Sequence, residues 1–389
     1  MKHSKSRQFF DKSQSLRSTQ LKSNELCLSH PSPYGKDRFC TPNNTPTKSP
    51  HKSPKSSFTK THTPTNTPIK NNSTTCFATP RKKSKLIISE RHQLDAPDIC
   101  NEHPTQLFSF QSSERFALAL QQTVYLWESG NVSILTEASN RITCVQFCRN
   151  DIAVSYDGKI ELWNLNSNTR IKQLPSHSGR CGAMTSHHSL IATGGSDGII
   201  HISNLSFGTV KSINTKMGEI ASLSYSPNGA YLASASVNGQ ISIWGDHRPH
   251  FFQHGTSMNY VTWLNDDILA VGDTTNNGEI KLFSMHHSLD ITESSISTGG
   301  PLSGLIHSPK WGIFVSHLDS PTSFEIYDHC LKKIRKIDKG PVLCMSLTPD
   351  ESELAICTLD EFVLTYSLKE GVPQTERKYK SISISCFIR

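Results

Sequence analysis

Between residues 105 and 368 the apolar positions fall in short runs of four to six residues, broken by Gly, Asn, Asp, Ser and Pro, and the pattern returns about every 40 residues. One type of run sets the period: VYLW (124–127), IELW (160–163), IHIS (200–203), ISIW (241–244), IKLF (280–283), FEIY (324–327) and VLTY (363–366). Their last residues are 36, 40, 41, 39, 44 and 39 positions apart. That spacing holds four short strands with their turns and is too short for a βαβ array. In 221–244 the order is ASLSYSPNG, AYLASASVNG, QISIW, so strand-like runs are separated by Pro-Asn-Gly and Asn-Gly turns. Asp157-Gly158, Asp197-Gly198, Asn238-Gly239 and Asn277-Gly278 precede the aromatic runs and predict two-residue type I′ turns; Asp319-Ser320 and Asp360-Glu361 are weaker versions. The expected fold is all-β, a seven-bladed WD-type β-propeller in which each unit ends on its aromatic run, followed by a C-terminal tail at 369–389. A sandwich of unrelated hairpins has no reason to repeat one strand at constant spacing.

Charge changes this picture at one end only. Residues 1–90 hold 17 Lys and Arg against 4 Asp and Glu, so the remaining 299 residues carry a net −6 beneath an overall +7. The basic part is rich in Ser, Thr, Pro, Asn and Lys, and it cannot bury enough apolar surface to offset the entropy of ordering. Residues 1–104 are therefore expected to form a disordered regulatory tail, with a protease-resistant core beginning near 94–105. Ser or Thr precedes Pro at Ser32, Thr41, Thr45, Ser49, Ser53, Thr63, Thr67 and Thr79, the pattern that proline-directed kinases modify. Each phosphate adds about −1.5 to −2 charges, enough in sum to neutralise the segment.

Chemistry leaves few traces. Eleven cysteines lie without a CxxC pair or zinc spacing, and Cys144, Cys344 and Cys357 sit in apolar runs as small core residues. His187-His188 and His286-His287 would point to opposite sides if placed on strands and have no partner at ligand spacing. No phosphate loop, GxSxG elbow or HExxH is present, and Gly194-Gly195 reads as a blade turn. No enzyme, metal or cofactor is expected. No signal peptide or long apolar span is seen, which points to nucleus and cytoplasm, with no membrane partner. Arg81-Lys82-Lys83 with Lys85 is a candidate nuclear import signal. Phe58 and Phe77 stand alone among Lys, Ser and Thr, so the tail lacks the aromatic interleaving of a nucleic-acid stacker.

The stretch ERFALALQQTVYLWESGNVSILTEASNRITCVQF (114–147), followed by IAVSYDGKIELWNL and LPSHSGRCGAM, resembles the first blades of the Fizzy and Fizzy-related proteins, the co-activators of the anaphase-promoting complex (APC/C). LDAPDI (94–99) resembles that family's junction between tail and propeller, Asp37-Arg38-Phe39 the start of its C-box, and Ile388-Arg389 its C-terminal Ile-Arg. The resemblance implies a substrate adaptor of a ubiquitin ligase. The C-box and Ile-Arg would dock on the APC/C, including its TPR subunits, and the propeller would capture degron-containing substrates. It further implies a destruction-box groove between the first and last blades, with Gln121 at the family's acidic position, Asp360 and Glu361 as carboxylates for a degron arginine, and Leu120 and Val124 as apolar contacts for its leucine. At the positions that take a KEN box the chain has Val237, Pro301 and Pro341, with Thr275 kept. After Phe39 it reads Cys40-Thr41-Pro42, so the C-box proline is displaced by one and no arginine follows. The WD signature departs as well: Ser203 replaces the aromatic of the third run, and Asn164, Asn204, Asp328 and Gly245 follow closing residues. The alternative is a WD-repeat interaction scaffold that binds nucleic acid or acidic proteins through its basic tail.

Overall fold

The computed structural model describes residues 86–99 and 105–371, apart from 209, 246–248, 254–256, 276, 286–291 and 319–321. Asp37, Arg38, Phe39, all eight Ser/Thr-Pro sites, His286-His287, Ile388 and Arg389 lie outside the described residues. Every regular element among those described is a strand, and the strands form seven antiparallel sheets of four. Six sheets are meanders of four consecutive strands, the first being Phe108–Ser112, Arg115–Leu120, Thr123–Glu128 and Asn131–Glu137. Inner strands of neighbouring blades contact each other around the ring, and the first blade's also meets the seventh's. This is the seven-bladed propeller.

The aromatic runs do not end the blades. They are the third strands, and a polar fourth strand follows each of the first six. Phe324–Tyr327 is buried throughout and the other third strands are buried mainly at their middle positions, because both faces are covered by neighbouring blades. Outer strands such as Thr169–Leu174 (TRIKQL) and Lys333–Ile337 (KIRKI) are largely exposed, and their lysines and arginines guard an open sheet edge. Low apolar content hid these strands from a reading of hydrophobic runs.

The seventh blade corrects the domain boundary. Its inner three strands are Val342–Leu347, Glu353–Thr358 and Phe362–Glu370, and its outer strand is Leu86–Asp95, from the segment expected to be tail. That strand runs antiparallel to Phe362–Glu370 from Leu86↔Glu370 to Asp95↔Phe362, with a bulge at Arg91. Leu86 and Leu94 are buried, Arg91 pairs with the buried Glu353, and Glu90 lies 3.0 Å from Lys339 Nζ. Burying each leucine contributes about 1.5–3 kcal/mol. Ser89, Glu90, Arg91 and His92 interrupt the apolar run that begins at Leu86, which is why composition assigned the segment to the tail. The propeller therefore spans 86–370, closed by a strand borrowed from the N-terminal side.

Turn chemistry departs from expectation in an informative way. Only Asp157-Gly158 has both residues at positive φ, 49° and 71°, as a type I′ turn requires. At Gly198, Gly239 and Gly278 the glycine alone is left-handed, and its N–H bonds three residues back to Gly195, Ser236 and Thr275 at 3.2, 3.2 and 2.9 Å. The first two are three-residue hairpin loops with glycine in the left-handed position, and the loop that ends at Gly278 is five residues long. Gly194 and Gly195 are not turn residues; they end the second strand of blade three, where an added Cβ would stand 2.5 Å from Ile220 and 2.4 Å from the His177 ring. His187 ends a strand and His188, at φ 52°, begins the turn, so the two rings meet edge to face at 4.3 Å rather than pointing apart.

Two repeated devices shape the ring. In blades two to seven the inner strand carries a register shift near its start, as between Ile142 and Cys144 or Val342 and Cys344, and such bulges add the twist that a propeller blade needs. The residue after the third strand is often Asn or Asp because it caps the next loop. Asn164 Oδ1 accepts from the N–H of Asn166 and Ser167, Asn204 Oδ1 from Ser206 and Phe207, and Asp328 Oδ1 from Cys330 and Lys332. The departures from the WD signature at 164 and 204 thus preserve its turn.

Candidate peptide-binding seam between the first and last blades

Strand direction alternates across each sheet, so the loops between second and third strands share one face of the ring with the connections between blades. Gln121, Thr275, Asp360 and Glu361 lie in the former loops, Arg141, Pro301 and Pro341 in the latter. The structure therefore places these residues on one face, and it links two of them, Gln121 and Glu361, through the backbone of Asp98. Glu361, in the seventh blade's turn, accepts the Asp98 N–H through Oε1 at 3.1 Å, and its backbone carbonyl accepts the Ala96 N–H at 2.7 Å. Gln121, in the first blade's turn, donates from Nε2 to the Asp98 carbonyl at 2.9 Å and accepts from Arg141 Nε at 3.1 Å. The segment 96–98 is the clasp between the two blades.

Backbone strain marks this clasp. Gln121, Glu361 and Asp98 sit at φ 54°, 63° and 58°, a region that non-glycine residues seldom occupy. Ala96 is fully buried and Ile99 packs on the core beneath, which holds the chain in place while the Asp98 side chain stays at the surface. Asp360 and Glu361 are exposed, and Arg141 stands exposed on the opposite lip. Within a few residues the seam thus presents anionic and cationic groups. An arginine brought to this lip would find two carboxylates, and Arg–carboxylate pairing supplies orientation as well as attraction.

The apolar half of the expected groove is different. Leu120 is 5% and Val124 0% exposed, both inside the core shared by the first, second and seventh blades. Leu120 pairs with Thr123 and Val124 with Ala119, so the two point to opposite faces of the sheet, both covered, and they cannot receive a ligand side chain as expected. The exposed apolar residue at this place is Leu359, beside Asp360 and 38% exposed. Thr275 is also committed: its hydroxyl donates to Asp273 Oδ2 at 2.8 Å and its N–H to Oδ1 at 2.7 Å, inside its own turn. Asp98 and Arg141 were missed. Asp98 belongs to the junction phrase LDAPDI, but nothing in that phrase says that its backbone would lie between two carboxamide and carboxylate side chains 240 residues apart in sequence. No three His, Cys, Asp or Glu side chains among the described residues converge on a metal-binding arrangement.

The fold and its repeats define a WD-repeat propeller protein. The model of the WD domain, G-beta repeat, matches residues 209–245, within the fourth blade and its approach. Over 74% of its length the chain is 25% identical to the Arabidopsis thaliana protein "Cell division cycle 20.5, cofactor of APC complex", covering 70% of that protein. It is 24% identical to "WD repeat-containing protein slp1" of Schizosaccharomyces pombe, over 79% of this chain and 68% of the other. With "APC/C activator protein CDC20" of Saccharomyces cerevisiae it shares 26% over 74% of its own length, spanning 52% of that relative. Among solved structures, a chain of the "Crystal Structure of Mitotic Checkpoint Complex" superposes with a TM-score of 0.67 at 22% identity, over 73% of this chain and 95% of that one, a likeness of fold. The chain is thus similar, at 25–26% identity, to proteins described as APC/C cofactors and activators.

Proposed function

We propose that this protein is a substrate-recognition co-activator of the APC/C ubiquitin ligase, which captures degron-bearing cell-cycle proteins on the propeller and docks through its two tails. The observation that carries the reading is the seam: Glu361 and Gln121, on the last and first blades, meet at Asp98, with Asp360 exposed beside them. The relatives named as APC/C cofactors and activators supply the ligase. No bond is made or broken by the protein in this role; it is an adaptor that holds substrate near a catalytic assembly, and two weak contacts on one rigid body gain effective concentration.

A destruction-box arginine would pair with Asp360 and Glu361, and an apolar degron residue would rest on Leu359 rather than on Leu120 or Val124. The KEN-type positions favour this choice, because Val237, Pro301 and Pro341 offer no side-chain hydrogen bonds and Thr275 spends its own on Asp273. Unpaired polar groups of a KEN peptide would cost about 1–3 kcal/mol each. Asp37-Arg38-Phe39 and Ile388-Arg389 would contact ligase subunits of the TPR type. A proline-directed kinase acting on Thr41, Thr45, Ser49 and Ser53 would place dianions beside Arg38 and weaken docking. The protein would work in nucleus and cytoplasm. Co-purification of the tagged protein with the ligase is the deciding experiment. Its absence, with nucleic acid recovered instead, would favour the scaffold reading. If the ligase is recovered, deleting Ile388-Arg389 should weaken the association about ten-fold, about 1.4 kcal/mol.

A further inference from the structure

The seventh blade holds two cysteines in an arrangement found nowhere else among the described residues. Cys344, on the inner strand, and Cys357, on the second strand, are direct cross-strand partners immediately after the bulge at Leu343. Directly opposed residues of an antiparallel pair have Cα atoms about 4.5–5.5 Å apart and side chains on one face, within the ~4.4–6.8 Å range that a disulfide spans. Both are free thiols. Cys357 is fully enclosed, whereas Cys344 is 7% exposed and lines a cavity of about 490 Å³ on the ring axis, walled by inner-strand residues such as Gln146, Thr185, Ser222, Thr262 and Ser303. Cys344 thus lies on the cavity wall, and Cys357 stands one strand further from it.

The surroundings of the two sulfurs differ as well. The Cys357 thiol, followed by backbone groups of Leu107 and Phe108 in the first blade, stabilises a charged Cys344 sulfur against its burial, so the Cys344 thiol lies below its usual range while that of Cys357 is pushed up. A second close pair behaves otherwise. Cys144 Sγ donates to the Cys181 carbonyl at 3.4 Å and Cys181 Sγ to the Ala183 carbonyl at 3.6 Å, both residues are fully buried, and burial drives the Cys144 thiol up. In this second pair each thiol donates to a backbone carbonyl and not to a neighbouring sulfur, whereas a thiolate next to a second thiol is the reactive combination.

We propose that Cys344 and Cys357 form a peroxide-responsive dithiol, with Cys344 as the residue attacked and Cys357 as the resolving one. The Cys344 thiolate attacks one oxygen of a small hydroperoxide; an S–O bond forms, the O–O bond breaks, and the leaving oxygen departs as hydroxide or alkoxide and takes a proton. The Cys357 sulfur then attacks the sulfenic sulfur, forming S–S as S–O breaks and water leaves. Two thiols lose two electrons and two protons, and the peroxide is reduced to water or to alcohol and water. The resulting bond ties the strand against the first blade to the strand that ends at Thr358, two residues before Asp360.

The test uses the full chain, reduced and then exposed to hydrogen peroxide under native conditions, followed by peptide mapping without reductant. The expected result is a linked pair of peptides containing Cys344 and Cys357, with the mass of two hydrogens lost and both thiols restored by dithiothreitol. In Cys357→Ser, dimedone should label Cys344, and in Cys344→Ser it should not label position 357. Should Cys357→Ser fail to fold, the map of the unaltered chain decides alone. Oxidation confined to exposed Cys330, linkage of Cys144 to Cys181 instead, or unchanged thiols at 344 and 357 would overturn the proposal.

Discussion

The turns of the third and seventh blades occupy equivalent places on the ring and carry acidic residues, Asp197 in one and Asp360 with Glu361 in the other, in opposite surroundings. In blade three Asp197 is nearly enclosed. Its Oδ1 meets His177 Nδ1 and the Ile199 N–H, both at 3.1 Å, and its Oδ2 the Ser178 N–H at 2.9 Å, while the other ring nitrogen of His177 reaches Thr193 Oγ1 at 3.0 Å. Burial opposes the charge of Asp197, but the amides of Ser178 and Ile199 and the His177 ring outweigh it and hold the carboxyl below the usual range. In blade seven Asp360 and Glu361 stand in water, and Glu361 accepts the N–H of Asp98 across the seam. A carboxylate with its lone pairs spent internally stabilises a blade; one left at the surface next to a seam is available to a partner. The same turn thus spends its carboxylate internally in one blade and leaves it at the surface in another.

The largest effect that would break this comparison lies in the seventh blade's closure. Removing residues 86–95 should unfold or open the ring, since it strips two buried leucines and a nine-position ladder, a loss on the order of 5 kcal/mol or more. Urea denaturation of full-length and truncated chains measures it. Limited proteolysis should correspondingly leave a core that begins before Leu86; a stable core starting at Thr105 would show that the seventh blade does not need its outer strand.

Next in size, Asp197→Ala should destabilise the protein by about 3 kcal/mol, because it leaves buried His177 and two amides unpaired. Asp360→Ala, at the exposed equivalent, should stay within about 0.5 kcal/mol. Equal effects of the two changes would erase the distinction.

Acid gives a comparable test. Burial, aided by His329, pushes His307 down from 6.5 to about 4, and burial with His201 holds His177 low against the attraction of Asp197. The unfolded chain takes up these protons near pH 6.5 while the folded chain resists. Stability is therefore full above about pH 6.5 and falls as pH drops toward 4, by roughly 3 kcal/mol for His307. Thermal midpoints across that window should decline, and His307→Gln should flatten the slope.

The smallest effect on folding should come with a large one on binding. Glu361→Lys should leave the urea midpoint nearly unchanged and weaken a destruction-box peptide about ten-fold, about 1.4 kcal/mol. Because Glu361 is left-handed, Glu361→Asn removes the charge while tolerating the backbone, and it separates electrostatics from strain. Peptide titration against the full chain, in which a KEN-type peptide should bind more weakly, reads both. Unaltered affinity in both variants would move recognition away from this seam.

Much of this molecule could be read before it was seen in three dimensions. Seven aromatic runs at near-constant spacing imply seven blades because each blade must bury its third strand on both faces, and burial on both faces writes itself into composition. Asp360 and Glu361 were legible as exposed carboxylates for the same reason, since a turn between two apolar strands has nowhere to lie but the surface. What escaped was everything carried by pairing rather than by burial. Outer strands such as KIRKI form only because a neighbouring edge supplies their hydrogen bonds, and Leu86–Asp95 finds its partner some 270 positions further along, which no local pattern encodes. The burial of Leu120 and Val124, the meeting of Gln121 and Glu361 at Asp98, and the facing of Cys344 and Cys357 are matters of register and ring closure. Those depend on contacts between distant segments, and only the tertiary structure decides them.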